Sequence, residues 1–336
     1  MMRIFILVWV FVFAVVACNR NGGTSSEKEI KAILSADSIE LVTDLIRNDS
    51  ADFRLYLTRA RLNLERGKID PAFRDVNTAL DLNPEAPEAF MLLSDLYFIL
   101  GNLDNAFSAL RKAAELDPAN EIPYLKQAEA YLVIRNYSMA QKSADRALSI
   151  NVNNADAYFL KGVAFIEQGD TASAITHLQI SANLDTTKYE AYMQLASVYQ
   201  QRGDTLAFDY YFSALKIHPD DEKALFGLAR FYQDLGRYDE AIGYYGKVNQ
   251  LYPLNKEAYF NKGYIYLVEE EDFDRAAAAF QQAINIDPSY VKAVYNLGRT
   301  YEAQGLYDEA AVKYRQALEL HTNYSLAIEG LNRMGK

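Results

Sequence analysis

The chain has 336 residues, half of them apolar, with 25 tyrosines, one cysteine and a formal net charge of −11. An acidic balance with no local basic cluster argues against a nucleic-acid-binding face, which needs a surplus of Lys and Arg against phosphate. A lone cysteine removes internal disulfides as a stabiliser, so an apolar core has to hold the fold.

Met1 to Ala17 reads as an export signal. Arg3 supplies a positive n-region, and Ile4 to Val16 is an unbroken apolar run. That run suits a signal core and falls short of the roughly 20 residues that span a bilayer. Val15-Val16-Ala17-Cys18 resembles a bacterial lipobox, and the resemblance implies that Cys18 is lipidated and becomes the mature N-terminus. An ordinary signal peptide or a retained anchor, with Cys18 incidental, is the open alternative. Several acyl chains on Cys18 would give stable membrane attachment. Asn19 at the next position leans toward an outer membrane. Residues 18–29 then form a polar, Gly- and Ser-bearing tether that reaches at most about 35–40 Å. Residues 30–52, with Ile30, Ile33, Leu34, Ile39, Val42, Leu45 and Ile46, are expected to form helices that cap the open end of the region starting at residue 53.

From residue 53 one pattern recurs, seen most plainly in Val291 to Thr322. Val294, Leu297, Gly298 and Tyr301 fall at helical spacing and make one apolar stripe. Gly298 costs about 1 kcal/mol against alanine inside a helix, which predicts a close helix–helix approach. Gly305 ends the helix, and Asp308 is placed to cap the next one. Ala310, Tyr314 and Ala317 form the matching stripe. The same large, small and turn residues return as Tyr259, Gly263, Tyr266, Ala276, Phe280 and Ala283, and as Leu225, Ala229, Tyr232, Gly236, Ala241 and Tyr245. They return earlier as Tyr158, Gly162, Gly169 and Ala174, and as Phe90, Ser94, Tyr97, Gly101 and Ala106.

At these residues the chain resembles a tetratricopeptide-repeat (TPR) protein, whose unit is a 34-residue helical hairpin. The resemblance implies an all-α fold, a right-handed superhelical solenoid. Eight units are expected: 53–86, 87–120, 121–154, 155–188, 189–221, 222–255, 256–290 and 291–324, with a capping helix over 325–336. Unit 189–221 is one residue short, in the turn Gly203 to Leu206. Unit 256–290 is one residue long, in Glu269 to Asp274, where the turn glycine is missing. Arg135 replaces the turn glycine of unit 121–154, and Asn136 is expected to take the left-handed position instead.

The resemblance also implies a binding mode. First helices of such arrays line the concave surface, where partners bind as extended peptides or helices. The fifth position of each unit here holds Leu57, Met91, Leu125, Phe159, Met193, Phe226, Phe260 and Tyr295. The ninth holds Arg61, Asp95, Glu129, Val163, Ser197, Arg230, Tyr264 and Arg299. Asn261 and Asn296 occupy the sixth, where asparagines in some TPR proteins hold a peptide backbone. The expected peptide site is therefore the C-terminal groove: Phe226, Arg230, Phe260, Asn261, Tyr264, Tyr295, Asn296 and Arg299. Solvated helix-face residues are the plain alternative. The fifth position carries no lysine, which speaks against a clamp for a terminal carboxylate.

No catalytic constellation is legible. His177, His218 and His321 lack metal-ligand spacing, and Glu269-Glu270-Glu271-Asp272 lacks the alternation and glycine of a calcium loop. No phosphate-binding loop, nucleophile elbow or His-Glu zinc motif occurs. The expected protein is a non-enzymatic, lipid-anchored scaffold of the bacterial cell envelope. It binds a protein or peptide segment and requires no cofactor or metal. A glycan-binding surface lipoprotein using groove aromatics is the rival reading. Assembly factors of envelope complexes are what related architectures suggest by resemblance.

Overall fold

The computed structural model describes residues 39–336. The expected signal segment 1–17, Cys18, the tether 18–29 and the start of the 30–52 segment lie outside the described residues. Eighteen helices and no strand occur among the described residues. The first, α1 (Ile39–Asn48), precedes eight hairpins: α2 (Phe53–Glu65) with α3 (Ile69–Leu82), α4 (Pro87–Ile99) with α5 (Leu103–Leu116), α6 (Ile122–Val133) with α7 (Tyr137–Ile150), α8 (Ala155–Gln168) with α9 (Thr171–Leu184), α10 (Tyr189–Gln201) with α11 (Leu206–Ile217), α12 (Glu222–Asp234) with α13 (Tyr238–Leu251), α14 (Lys256–Val268) with α15 (Phe273–Ile286), and α16 (Val291–Ala303) with α17 (Tyr307–Leu320). A last helix, α18 (Ser325–Arg333), completes the order.

The chain divides into two compact units, one ending at Ala164 and one running from Phe165 to Lys336, so the division falls within α8. In each unit the two helices of a hairpin pack together and each second helix packs on the next first helix. Small residues make this possible. In the first unit Ala60, Ala72, Ala79 and Ala89 are fully buried beside Leu57, Val76 and Leu96. In the second, Ala276, Ala283, Ala293, Ala310 and Ala317 are fully buried around Phe280 and Tyr314. An alanine opposite a large side chain lets helix axes approach without leaving a void.

Gly298 marks a close approach of this kind. A Cβ there would stand 2.8 Å from the Tyr314 ring, and one at Gly330 of α18 would stand 2.5 Å from the other edge of the same ring. The hairpin turns are equally explicit. Gly305 sits at φ +78°, and the N–H of Leu306 reaches back to the carbonyl of Tyr301 at 2.8 Å, closing the helix as a left-handed cap does.

Two local expectations are corrected. Arg135 itself takes the left-handed position at φ 60°, while Asn136 stays at φ −93° and its side chain accepts the N–H of Met139, capping α7. Capping chemistry and left-handed tolerance compete for asparagine, and the cap wins because Asn136 is the residue at the helix start. Asp308 does not cap α17: the helix already begins at Tyr307, and Asp308 pairs with Lys336. In unit 189–221 the missing residue tightens the start of α11, where Ala207 and Phe208 donate to Asp204 and Thr205 three residues back, a 3₁₀-like turn. The extra residue of unit 256–290 is absorbed at Glu271, φ 52°, ahead of Asp272, which caps α15.

Both ends are covered. Val42 and Ile46 of α1 pack on Leu55 and Leu62 of α2. At the other end Ala327 is buried and Leu331 and Met334 pack on the last hairpin. Leu326 and Ile328 on the same helix face solvent.

Candidate functional site

The expected C-terminal groove lies within the second unit, on first helices α12, α14 and α16. α13 packs against both α12 and α14, and its Tyr245 is the residue on which Phe226, Arg230 and Asn261 of those first helices converge. Phe226 of α12 is half-buried and meets Tyr245 edge-on at 5.4 Å. Arg230, one turn on, is exposed. Its charge acts on the hydroxyls of Tyr211 and Tyr245, opposing the upward shift that burial imposes on both. Burial prevails, and Tyr211 is pushed up to about 12. The nearby Asp234 is engaged by the Gln200 amide at 3.1 Å.

On α14, Phe260 is half-buried against Phe280 at 5.7 Å and Tyr290 at 5.2 Å. Asn261 is half-buried near the Tyr245 hydroxyl, where its amide works against the upward shift that burial imposes on that phenol. Tyr264 is half-buried and packs partly on the unit's core. Phe226, Arg230, Phe260, Asn261 and Tyr264 thus share one partly open face, combining ring edges, a guanidinium and an amide.

The α16 residues are placed differently. Tyr295 is only 8% exposed, flanked by Tyr314 at 5.6 Å and Tyr324 at 5.4 Å. Asn296 is 7% exposed; its amide donates to the Lys292 carbonyl at 2.8 Å and its oxygen accepts from Arg299 at 3.1 Å. Both belong to the packed interior here, because α18 and Tyr324 close over this end of the array. A peptide backbone held by paired asparagines therefore finds only Asn261 accessible. Arg299 is half-buried and committed to Asn296.

Buried tyrosine hydroxyls have partners of their own. Tyr245 donates to Gln233 at 2.8 Å, Tyr189 to Asp221 at 2.5 Å and Tyr290 to Glu257 at 2.6 Å. Tyr314 donates to Glu302, which also pairs with Arg333 of α18. Each carboxylate destabilises the phenolate it faces, and burial pushes these phenols up. Tyr245 and Tyr314 tie the two helices of one hairpin together, whereas Tyr189 and Tyr290 bond at the junctions between successive hairpins.

No group of His, Cys, Asp and Glu among the described residues is arranged to hold a metal ion. His177 directs Nδ1 at the Ser173 carbonyl, 2.8 Å away, and stacks near Phe165. His218 and His321 lie against Tyr189 and Tyr324. No described helix is long and apolar enough to cross a membrane.

Family models described as Tetratricopeptide repeat match residues 57–121 and 125–185, and residues 206–266 and 267–328. The chain is a tetratricopeptide-repeat protein. Solved structures agree on the fold. The C-terminal part of a TPR repeat-containing protein of Cytophaga hutchinsonii superposes with TM-score 0.60 over 71% of this chain and 98% of its own, at 22% identity. Pseudomonas aeruginosa pilF gives 0.53 over 61% of this chain and 93% of its own, at 19% identity. A tetratricopeptide repeat protein of Parabacteroides merdae gives 0.50 over 74% and 99%, also at 19% identity. Among curated proteins none matches significantly. TPR arrays are generally protein-interaction scaffolds, so the open face on α12 and α14 is the part of this TPR protein to consider for binding.

One residue of the second unit is not anticipated from sequence. Lys262 of α14 is half-buried and lies over the Tyr259 ring at 5.9 Å. Its signal is available only after alignment of the units, because it occupies a seat that Leu195, Leu228 and Leu297 fill elsewhere, all fully buried.

Proposed function

We infer that this TPR protein is a membrane-anchored adaptor that grips a segment of a partner protein on the first-helix face of its second unit. The observation that carries the binding reading is the cluster of Phe226, Arg230, Phe260, Asn261 and Tyr264 on α12 and α14. Its rings are partly wet, and Arg230 has no ion-pair partner among the described residues. Half-exposed aromatics beside an uncompensated guanidinium are the composition of interface hot spots. The reading is one of equilibrium binding.

Anchoring rests on the N-terminal sequence, where the apolar run ends at a small residue directly before the only cysteine. Envelope location, with the outer membrane favoured by Asn19, is part of the same proposal. Cys18→Ser should yield a protein that takes up no radiolabelled fatty acid; continued labelling would sink the anchor. For the face itself, crosslinking in the native cell and then mass spectrometry compare the intact chain with Arg230→Glu/Phe260→Ala. Loss of crosslinked partners in the variant supports this face, and an unchanged set moves the site elsewhere. A glycan array probed with the chain and with Tyr264→Ala distinguishes the carbohydrate reading, which requires a signal that the substitution removes.

A further inference from the structure

Lys262 sits in a seat built for an apolar side chain. The seventh position of the repeat is leucine in four units, Leu93, Leu195, Leu228 and Leu297, and a cation in three, Arg59, Lys161 and Lys262. Burying a cation is costly unless it is paired, and the first unit pairs both of its cations. Arg59 donates to Asp75 of α3 at 2.7 and 2.9 Å. Lys161 bonds Asp145 of α7 at 2.7 Å.

Both of those solutions have been removed around Lys262. By register, Ala279 of α15 stands where Asp75 stands in α3, and Gly246 of α13 stands where Asp145 stands in α7. Lys262 makes no hydrogen bond or ion pair among the described residues, and burial holds its ammonium below the usual lysine range. Gly246 is itself unexplained by packing. Gly263 and Gly298 face rings that a Cβ would strike, whereas a Cβ on Gly246, or on exposed Gly243 one turn earlier, would meet nothing within 4 Å. A glycine mid-helix costs about 1 kcal/mol against alanine, and here the chain's own packing gives no return.

We propose that Lys262 and the glycine-floored notch beside it on α13 are a docking point for an aspartate or glutamate side chain of a partner protein. The incoming carboxylate takes the place that Asp145 holds beside Lys161. Gly243 and Gly246 let the backbone bearing it lie close against α13, and Tyr259 walls the site. A carboxylate is the fitting group because the notch supplies a cation that no carboxylate among the described residues bonds or shifts, while Lys247 on the same helix is already paired with Asp220. The surface is separate from the Arg230 face and does not depend on it.

The test reads acetylation of each lysine by peptide mass spectrometry, using an activated acetate ester on the full chain. The probes are hexaglutamate and hexaglutamine peptides. Hexaglutamate should slow labelling of Lys262 about two- to five-fold, the scale of a partly exposed ion pair, with little effect of hexaglutamine and little effect on exposed Lys223 and Lys292. Gly246→Asp supplies the carboxylate from within, so Lys262 should be slowed without peptide and gain no further protection from it. Gly246→Ala should behave as the parent, and Arg230→Glu should leave the pattern intact. Equal protection by both peptides, uniform protection of all lysines, or unaltered Lys262 labelling in Gly246→Asp overturns the proposal.

Discussion

Gly298→Ala is expected to destabilise the C-terminal hairpins, although alanine is the better helix former. The added Cβ would lie 2.8 and 2.9 Å from two atoms of the Tyr314 ring. That ring has nowhere to go. It is fully buried, its hydroxyl is bonded to Glu302, and its far edge already faces Gly330 too closely to admit even a Cβ there. Overpacking a filled core costs about 1–3 kcal/mol, against about 1 kcal/mol gained in helix propensity. The net expectation is a loss of about 1 kcal/mol, up to about 2 because both edges of the ring are blocked. Repeat arrays unfold locally as well as globally, so the assay is amide hydrogen exchange in α16 and α17. The loss should accelerate it about five- to thirty-fold. In a Tyr314→Leu background the sign should reverse, since Ser94 and Leu110 already occupy the same register, both fully buried. Ala229 coexists with Tyr245 two repeats earlier, where the far side carries Asn261 in place of a glycine; the prediction therefore depends on Gly330 as the second wall. A neutral or stabilising Gly298→Ala in the parent chain would refute this account of the ring.

Further expectations concern other links of the fold. Ala310→Phe, at a fully buried position, should cost about 1–3 kcal/mol by overpacking and lower the thermal midpoint measured by circular dichroism. Arg135→Gly should stabilise by about 0.5–1 kcal/mol, the left-handed penalty of φ 60° less the backbone entropy of glycine; urea midpoints of the two chains decide it. Asp75→Ala strips Arg59 of its carboxylate while Asp75 is 8% exposed and Arg59 21%, and should cost about 3 kcal/mol, the low end for a buried pair because Arg59 keeps some water. Asp287 is held at about 2 by Lys256 and by two bonds from Ser289. Its folded value lies below the unfolded one, so its contribution is complete above about pH 4 and is lost as the pH falls toward 2; carboxyl NMR should place the midpoint near 2, and Lys256→Met should raise it.

The repeat was readable because its determinants are local and multiplied. Alanine at a fixed offset from a large residue, and glycine shortly before a helix, carry the same meaning in every hairpin. A single ambiguous unit is corrected by its neighbours. The turns were legible only in part. Arg135 and Asn136 both fit a left-handed site on paper, and the helix start decided between them by claiming the asparagine side chain as its cap. Asp308 looked like a cap because acidic residues favour helix starts, but α17 begins a residue earlier and Lys336 claims the carboxylate.

For the binding face, register alone established that Phe226, Arg230, Phe260, Asn261, Tyr264, Tyr295, Asn296 and Arg299 lie on first helices. Only packing separated them. Tyr324 and α18 close over Tyr295, and Asn296 turns its amide to its own helix, whereas α12 and α14 leave their rings and Arg230 partly in water. Lys262 makes the same point in reverse. Its residue type is visible in one line of sequence, but its missing counter-ion is a property of two other helices, α13 and α15, and depends on which residues those helices bring alongside. Periodicity fixes which way a side chain sets out from its helix; what meets it there is chosen by neighbours about a repeat away, and those contacts exist only once the hairpins have stacked.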